Sequence, residues 1–227
     1  MEREVTIKDF DIAGAERIGI PKGDDSSACI KAFEAATGIE VPVFNGRELT
    51  ATSSGREFFL LKGKDMPGLA ASGLIDLGVA GEDSIEMDFY YGRPVLENLQ
   101  FLPVGAPMCC LELLAEKDKR DELEERLWHS LPGSSAVMRA VTPLPGIVNY
   151  QVGRLDLPVE IVDLPPGVTI SGSMEIMPRL LRRLGVELVA DRVQTGKTAQ
   201  ANGLARVTQM WDIYPALVGR LADGSCC

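Results

Sequence analysis

Histidine is nearly missing from this chain of 227 residues, which contains only His129. One imidazole is too few for a histidine-based metal site, and it makes a Ser-His-Asp triad hard to build. His129 follows a charged, helix-compatible segment, 117–128, where a cation suits the carbonyl end of the helix dipole. We therefore expect chemistry that does not depend on histidine.

Cysteine is also scarce and is not arranged for disulfides or metal binding. The five cysteines are Cys29, the adjacent pair Cys109 and Cys110, and the terminal pair Cys226 and Cys227. Their spacing matches neither a disulfide framework nor a zinc motif. We interpret Cys109 and Cys110 as small strand residues, with a redox role as the alternative.

Long apolar runs are absent: no segment approaches the roughly 18 residues that a membrane helix requires. Residues 1–11 are charged and lack the apolar core of a signal peptide. We expect a cytoplasmic protein with no membrane partner.

Positive charge is in deficit, since 33 acidic residues outnumber 23 basic ones and the net charge is −10. A nucleic-acid partner normally requires a basic face, so this balance argues against one. An anionic substrate would have to be met by local positive groups. The chain is long enough to bury a substantial core, in one large or two small domains.

Short apolar segments alternate with helix-compatible segments along the chain. This order predicts an α/β fold with mixed, mostly parallel sheets, whose ligands lie beyond the carboxyl ends of the strands. The turns 21–27, 81–84 and 195–198 fall at such ends. Strands are predicted at 17–21, 39–44, 58–61, 75–80, 99–104, 108–115, 136–141, 159–164 and 186–193, and helices at 28–37, 116–128, 146–153 and in a short segment ending at 71.

Two breaks that contain proline and glycine, near 103–107 and 178–185, separate groups of predicted elements. They indicate a lobe inserted into another lobe, with a cleft between them. The predicted first lobe comprises 1–103 and 184–227, and the second comprises 104–183, with the loop 191–198 facing the cleft.

The most informative segment is Thr195-Gly196-Lys197-Thr198, which follows an apolar run and precedes a helix-compatible stretch. Backbone N–H groups at such a helix start can surround an anion, and the helix dipole favours the negative charge. An ordinary capped turn would have the same residues. Asp191 favours the phosphate site, because a carboxylate at the strand end beside a phosphate loop can hold sugar hydroxyls.

A nucleotide-triphosphatase P-loop does not fit this segment, because that motif needs a glycine where Asp191 stands. A second candidate anion contact is Lys22-Gly23, in the turn after the first predicted strand. An exposed turn lysine is the alternative there.

An ordered set of segments resembles the ATP phosphoribosyltransferase family. The strongest matches are 171–178 (SGSMEIMP), 191–198 (DRVQTGKT) and 201–204 (ANGL), supported by 20–23 (IPKG), 46–49 (GREL) and 76–83 (DLGVAGED). Together they span roughly Ile18 to Val207 in the family's order.

This resemblance implies a two-lobed fold like that of type II periplasmic binding proteins, with the substrates in the cleft. The length is similar to that of the family's short form. The resemblance therefore implies a homo-oligomer that works with a separate regulatory subunit similar to a histidyl-tRNA synthetase.

The implied reaction joins N1 of the adenine of ATP to C1 of 5-phosphoribosyl 1-pyrophosphate in the first step of histidine biosynthesis, with Mg-pyrophosphate leaving. Mg is expected mainly on the pyrophosphate, so no protein ligands are assigned to it. Asp191 and Glu175 are the implied catalytic-site carboxylates, with Asp191 on the ribose hydroxyls. Thr195, Gly196, Lys197 and Thr198 would hold the 5-phosphate, and Lys22, Gly23, Gly81 and Asp83 would contact the nucleotide or pyrophosphate.

The chain departs from the family's pattern where the family has basic residues, near positions 24, 111 and 143. Asp24 and Asp25, for example, follow Lys22-Gly23. One alternative is therefore a paralogue that uses the same donor, with ATP or another acceptor, in a specialised nucleoside pathway. A non-catalytic small-molecule binding protein of the same fold is the alternative from another class.

Overall fold

The computed structural model divides the chain into two compact units, Met1–Met108 with Ile213–Cys227, and Cys109–Asp212. Each unit contains one sheet with both parallel and antiparallel strand pairs. The structure describes residues 5–23, 26–45, 48–85, 99–129, 137–162, 181, 183–194 and 204–220.

The first unit is built on a six-stranded sheet. Its strands are β1 (Arg17–Pro21), β2 (Thr50–Ser53), β3 (Arg56–Leu61), β4 (Leu77–Gly81), β5 (Gln100–Pro103) and β11 (Pro215–Gly219), and its helices are α1 (Ser26–Thr37) and α2 (Met66–Ala71). The order is β2-β3-β1-β4-β11-β5. β1 pairs in parallel with β3 and β4 at the centre, whereas β2, β5 and β11 pair antiparallel with their neighbours.

The central strands of this sheet are apolar because they are covered on both faces. All five residues of β4 are buried. A Cβ on Gly78 would lie 2.8 Å from Cγ of Met66, so the glycine makes room for a methionine side chain of α2. Met66 belongs to a buried cluster with Ala70, Ile75, Ala80, Ile85, Leu99, Ala216 and Val218.

The second unit contains a five-stranded sheet. Its strands are β6 (Cys109–Glu116), β7 (Met138–Val141), β8 (Val159–Val162), β9 (Leu188–Gln194) and β10 (Leu204–Ile213), and its helices are α3 (Arg120–His129) and α4 (Pro145–Arg154). The order is β10-β6-β9-β7-β8. β7 pairs in parallel with β8 and β9, and β6 pairs antiparallel with β9.

The boundary between the units differs from the sequence prediction. Residues 184–212 belong to the second unit, not the first, because β9 pairs with β6 and β7. Residues 104–108 belong to the first unit, because Val104 and Met108 donate backbone hydrogen bonds to the carbonyls of Pro215 and Ile213.

One predicted strand, 39–44, is wrong. This segment pairs with no strand among the described residues, and the Val41 N–H donates to the side chain of Glu34 on α1 at 2.9 Å. Val43 is 83% exposed, so the apolar residues here do not mark a buried strand. Three strands, β2, β10 and β11, were not predicted.

Candidate functional site

Three segments meet at the carboxyl edge of the parallel strands β3, β1 and β4, which are neighbours in that order. The Lys22 N–H donates to the carbonyl of Leu61 at 2.8 Å, which joins the segments after β1 and β3. A Cβ on Gly63 would lie 3.1 Å from Oγ of Ser84, so the segments after β3 and β4 are also in contact. This edge is where ligands of parallel α/β sheets bind.

Lys22 and Gly23 form the turn after β1, as the sequence predicts. Both residues are exposed, and Gly23 has a φ of +109° with no atom within 4 Å of the position a Cβ would take. Glycine is therefore needed here for backbone conformation and not for lack of space. The turn leaves the Lys22 ammonium at the surface.

Two further lysines, Lys62 and Lys64, follow β3 at the same edge and were not assigned from the sequence. Both are exposed, and their ammonium groups form no ion pair with any residue that the structure describes. With Lys22 they make three cations at one edge of an acidic protein. The sequence signal was the Lys-Gly-Lys triplet at 62–64, directly after a predicted strand. Its closeness to Lys22 can be recognised only once β1 and β3 are known to be neighbours.

The segment after β4 is acidic and fixed in place. Glu82 and Asp83 are 8% and 2% exposed, so the Asp83 carboxyl is enclosed in its unit. The Glu82 N–H donates to the carbonyl of Tyr214 at 2.9 Å, and Oε2 of Glu82 accepts from the Tyr214 N–H at 2.9 Å. Gly81, just before them, is buried and pairs with Pro215.

Burial raises the pKa of Glu82, and the neighbouring charge of Asp83 raises it further, although the hydrogen bond from Tyr214 acts in the opposite direction. The structure therefore brings Lys22, Gly23, Gly81 and Asp83 to one edge of the first sheet, as predicted from the sequence. It shows in addition that the two carboxyls of this edge are buried and the three ammonium groups are exposed.

Asp191 lies in the second unit, within β9. The strand continues three residues beyond it to Gln194, which pairs with Cys109, so Asp191 lies near the carboxyl end of β9, as the predicted strand 186–193 also places it. Oδ1 of Asp191 accepts from the Arg192 N–H at 2.8 Å. Burial raises the pKa of Asp191, and the hydrogen bond and charge of Arg192 offset this only in part.

Polar groups of β6 and β10 surround Glu112, the residue opposite Asp191. Glu112 on β6 is its direct cross-strand partner and is 4% exposed. Oε1 of Glu112 accepts from Nη1 of Arg206 on β10 at 3.1 Å and from Sγ of Cys110 at 3.2 Å. Burial, and next the hydrogen bond to Glu112, raise the pKa of Cys110 to about 12, so this thiol stays protonated near neutral pH.

Glu175, Thr195, Gly196, Lys197 and Thr198 lie outside the described residues. Within the described part of the chain, no group of three or more His, Cys, Asp or Glu residues is placed to hold a metal ion. Across the same residues, no helix is both long and apolar enough to cross a membrane.

Comparisons of the sequence with known proteins indicate one family. A family model described as ATP phosphoribosyltransferase matches residues 62–224, a span that includes Lys62, Lys64 and Asp191. A protein named ATP phosphoribosyltransferase from Pyrococcus furiosus is 30% identical over 203 residues, which are 89% of this chain and 86% of that protein. One of the same name from Aquifex aeolicus is 28% identical over 195 residues, with coverages of 86% and 79%.

Among solved structures, the chain is similar to the ATP phosphoribosyl transferase (HisG:HisZ) complex from Thermotoga maritima. The TM-score is 0.55 at 19% identity, and the alignment covers 90% of this chain and 87% of the other. At this identity the likeness concerns the fold, and it confirms the predicted fold class.

Proposed function

This chain belongs to the ATP phosphoribosyltransferase family, and we propose that it joins ATP to 5-phosphoribosyl 1-pyrophosphate, giving 1-(5-phosphoribosyl)-ATP and pyrophosphate. This reaction is the first step of histidine biosynthesis. The observation that carries the proposal is the 30% identity to a relative of that name over 89% of the chain.

The reaction depends on positioning and on electrostatic stabilisation more than on covalent catalysis by the protein. N1 of adenine forms a bond to C1 of the ribose while the bond from C1 to the pyrophosphate oxygen breaks. Positive charge develops on the ribose and negative charge on the leaving group. A protein lowers this barrier by holding the nucleophile in line and by placing fixed charges at the leaving group, which requires no histidine.

We assign the three-lysine edge of the first unit to the anionic parts of the substrates. Lys22, Lys62 and Lys64 are exposed, lie beyond neighbouring parallel strands and have no ion-pair partner among the described residues. In an acidic chain, such a local positive group attracts phosphates. Mg is proposed to enter with the pyrophosphate, because Mg²⁺ commonly keeps its waters and binds through substrate phosphates.

We assign Asp191 to the hydroxyls of the ribosyl donor. Its backbone is fixed by the pairing of β9 with β6, and the hydrogen bond that the structure shows for its side chain comes from the adjacent backbone N–H. The carboxyl therefore keeps acceptor capacity for ribose hydroxyls. Thr195, Gly196, Lys197 and Thr198 are proposed to hold the 5-phosphate, and Glu175 to make a further polar contact.

The proposed setting is cytoplasmic, as a homo-oligomer with a regulatory subunit similar to a histidyl-tRNA synthetase. The regulatory subunit is supported by the similar solved chain, which was determined in a HisG:HisZ complex and of which this chain covers 87%. The cytoplasmic setting and the homo-oligomer rest on the sequence and its resemblance to the family.

A second candidate is a paralogue that transfers the same phosphoribosyl group to another acceptor. The observation that favours it is Asp24-Asp25, which places negative charge directly after Lys22-Gly23, where a triphosphate acceptor would need cations. The two candidates share the donor and differ in the acceptor.

Release of pyrophosphate from the donor, measured with Mg and one acceptor at a time, separates these candidates. The proposed function predicts release with ATP and little with GTP, adenosine or free adenine. Release with one of these and not with ATP would establish the paralogue. No release with any acceptor, although the donor binds by calorimetry, would favour a binding protein.

A further inference from the structure

Two carboxylates lie directly opposite each other on neighbouring strands of the second unit. Glu112 on β6 and Asp191 on β9 are cross-strand partners in an antiparallel pair. Side chains at such positions share one face of the sheet, with Cβ atoms about 4.5–5.5 Å apart, and like charges placed this way are destabilising. The chain therefore maintains a pair that costs stability.

Glu112 is buried and forms an ion pair with Arg206. It is 4% exposed, and a buried carboxylate needs a charged or hydrogen-bonding partner. Nη1 of Arg206 lies 3.1 Å from its Oε1, and the Cys110 thiol donates to the same atom at 3.2 Å. Arg206 is itself largely solvated, with 57% of its side chain exposed.

The charged groups linked to Asp191, Glu112 and Cys110 lie on three strands. Arg192 on β9 donates its backbone N–H to Asp191 and carries a positive charge. β6 contributes Glu112 and the protonated Cys110, and β10 contributes Arg206, bound to Glu112, and Asp212, whose charge acts on Cys110. The anionic group directly across from Asp191 is Glu112.

We propose that Glu112, held by Arg206, is a positioning residue that sets the charge of Asp191 and thereby the strength with which Asp191 binds the hydroxyls of the ribosyl donor. The effect of Glu112 on Asp191 is inferred from the strand register and the ion pair. The binding of the donor by Asp191 rests on the proposed function. Glu112 itself acts through Asp191.

The consequence is a donor affinity that depends on pH. Donor binding is strongest when Asp191 is ionised, because a carboxylate accepts from two hydroxyls at once. A negative charge across the strand makes that ionisation harder, in the same direction as the burial that raises the pKa of Asp191. As the pH is lowered, affinity for the donor is therefore lost at a higher pH than it would be without Glu112.

The test is the substitution Glu112→Gln, which removes the charge and keeps the shape and an acceptor for Arg206. Aspartate carboxyl carbons are isotope-labelled, the Asp191 signal is assigned by its loss in Asp191→Asn, and its titration is followed by NMR. We expect the midpoint for Asp191 to move to a lower pH. Donor affinity, measured by calorimetry across the same pH range, is expected to follow.

The matched control is Glu187→Gln. Glu187 also lies in the second unit and pairs with an arginine, Arg126, at 2.6 Å. Its loss should leave the Asp191 titration unchanged. An Asp191 midpoint that is the same in folded Glu112→Gln as in the wild type would overturn the inference.

Three further outcomes separate the parts of the proposal. If Glu112→Gln does not fold, Arg206→Gln is used in its place, since it removes the cation that pairs with Glu112. An Asp191 titration whose midpoint does not rise and whose pH range does not broaden in this variant would overturn the coupling. If the midpoint moves but donor affinity does not follow, the donor's dependence on Asp191 is overturned while the coupling stands. Failure of the wild type to bind the donor would instead contradict the proposed function itself.

Discussion

The backbone N–H of Lys22 donates to the carbonyl of Leu61, so the ends of two neighbouring parallel strands are joined by a 2.8 Å hydrogen bond. Lys62 follows Leu61 directly, and this bond therefore places two exposed lysines at the same edge of the sheet. Their closeness is a property of the backbone, not of a charge pair, and it persists when either side chain is replaced.

Lys62→Ala is expected to lower kcat by about 10²-fold, because removing one fixed charge from a developing anion typically has an effect of this size. Steady-state kinetics with both substrates varied would measure it. Lys31→Ala, which removes an exposed lysine of α1, is the matched control and should have no effect. Equal activities of the two variants would remove Lys62 from the site.

Gly23→Ala and Gly68→Ala are expected to change stability in opposite directions. Neither position has a neighbour within 4 Å of an added Cβ, but only Gly23 has a positive φ, +109°. An alanine there is strained by about 1–2 kcal/mol, whereas Gly68 lies in α2 and an alanine should stabilise the helix by about 0.5–1 kcal/mol. Urea unfolding of both variants provides the comparison, and a stabilised Gly23→Ala would contradict the assigned turn.

Asp76→Ala is expected to destabilise the protein at neutral pH by about 1–3 kcal/mol, since the N–H groups of Glu16 and Arg17 lose their acceptor. Burial alone would raise the pKa of Asp76, but hydrogen bonds from the Arg17 side chain and these N–H groups lower it overall. A carboxyl with a lowered pKa stabilises above its unfolded value of about 3.9 and loses this effect as pH falls through its folded pKa. In thermal melts, the melting temperature of Asp76→Ala should therefore lie below that of the wild type at neutral pH, and the difference should shrink on acidification below about pH 4.

Glu82→Gln and Glu82→Leu are expected to have different effects on the free energy of unfolding at neutral pH. The pKa of Glu82 is raised mainly by burial, so its ionisation costs stability as pH rises through the folded value. Gln removes that cost and still accepts from the Tyr214 N–H, so it should be neutral or stabilising at neutral pH. Leu leaves the N–H unsatisfied and should cost about 1–3 kcal/mol. Denaturant unfolding that ranks Leu above Gln would show that the bond to Tyr214 contributes nothing.

The elements that sequence reasoning found are those with an unambiguous apolar pattern. β4 is a short apolar run buried on both faces, and β6 is almost wholly buried, so both were predicted. The segment 39–44 has similar residues, but Glu34 binds its backbone and it forms no strand. β10 was missed because every third residue is buried, a spacing that fits neither a half-buried strand nor a helix.

The residues of the candidate site also divide into those that the sequence could place and those that it could not. Lys22 and Gly23 could be placed at this edge because they follow a predicted strand, and Gly81 and Asp83 because they directly follow another, 75–80. Glu112 could not be connected with Asp191, since the pairing depends on the register of two strands that are far apart in the chain. The predicted strand 186–193 and the observed β9 differ by one residue at the carboxyl end, because Gln194 is polar and joins the strand only through its pairing with Cys109.

The proposed reaction forms a bond between ATP and the phosphoribosyl donor. The most direct measurement mixes the purified chain with ATP, 5-phosphoribosyl 1-pyrophosphate and Mg, alone and with a regulatory subunit, and detects the products by mass spectrometry. The proposed function predicts phosphoribosyl-ATP and pyrophosphate in equal amounts, with loss of both in Asp191→Ala. Absence of phosphoribosyl-ATP under both conditions, with the substrates recovered unchanged, would contradict it.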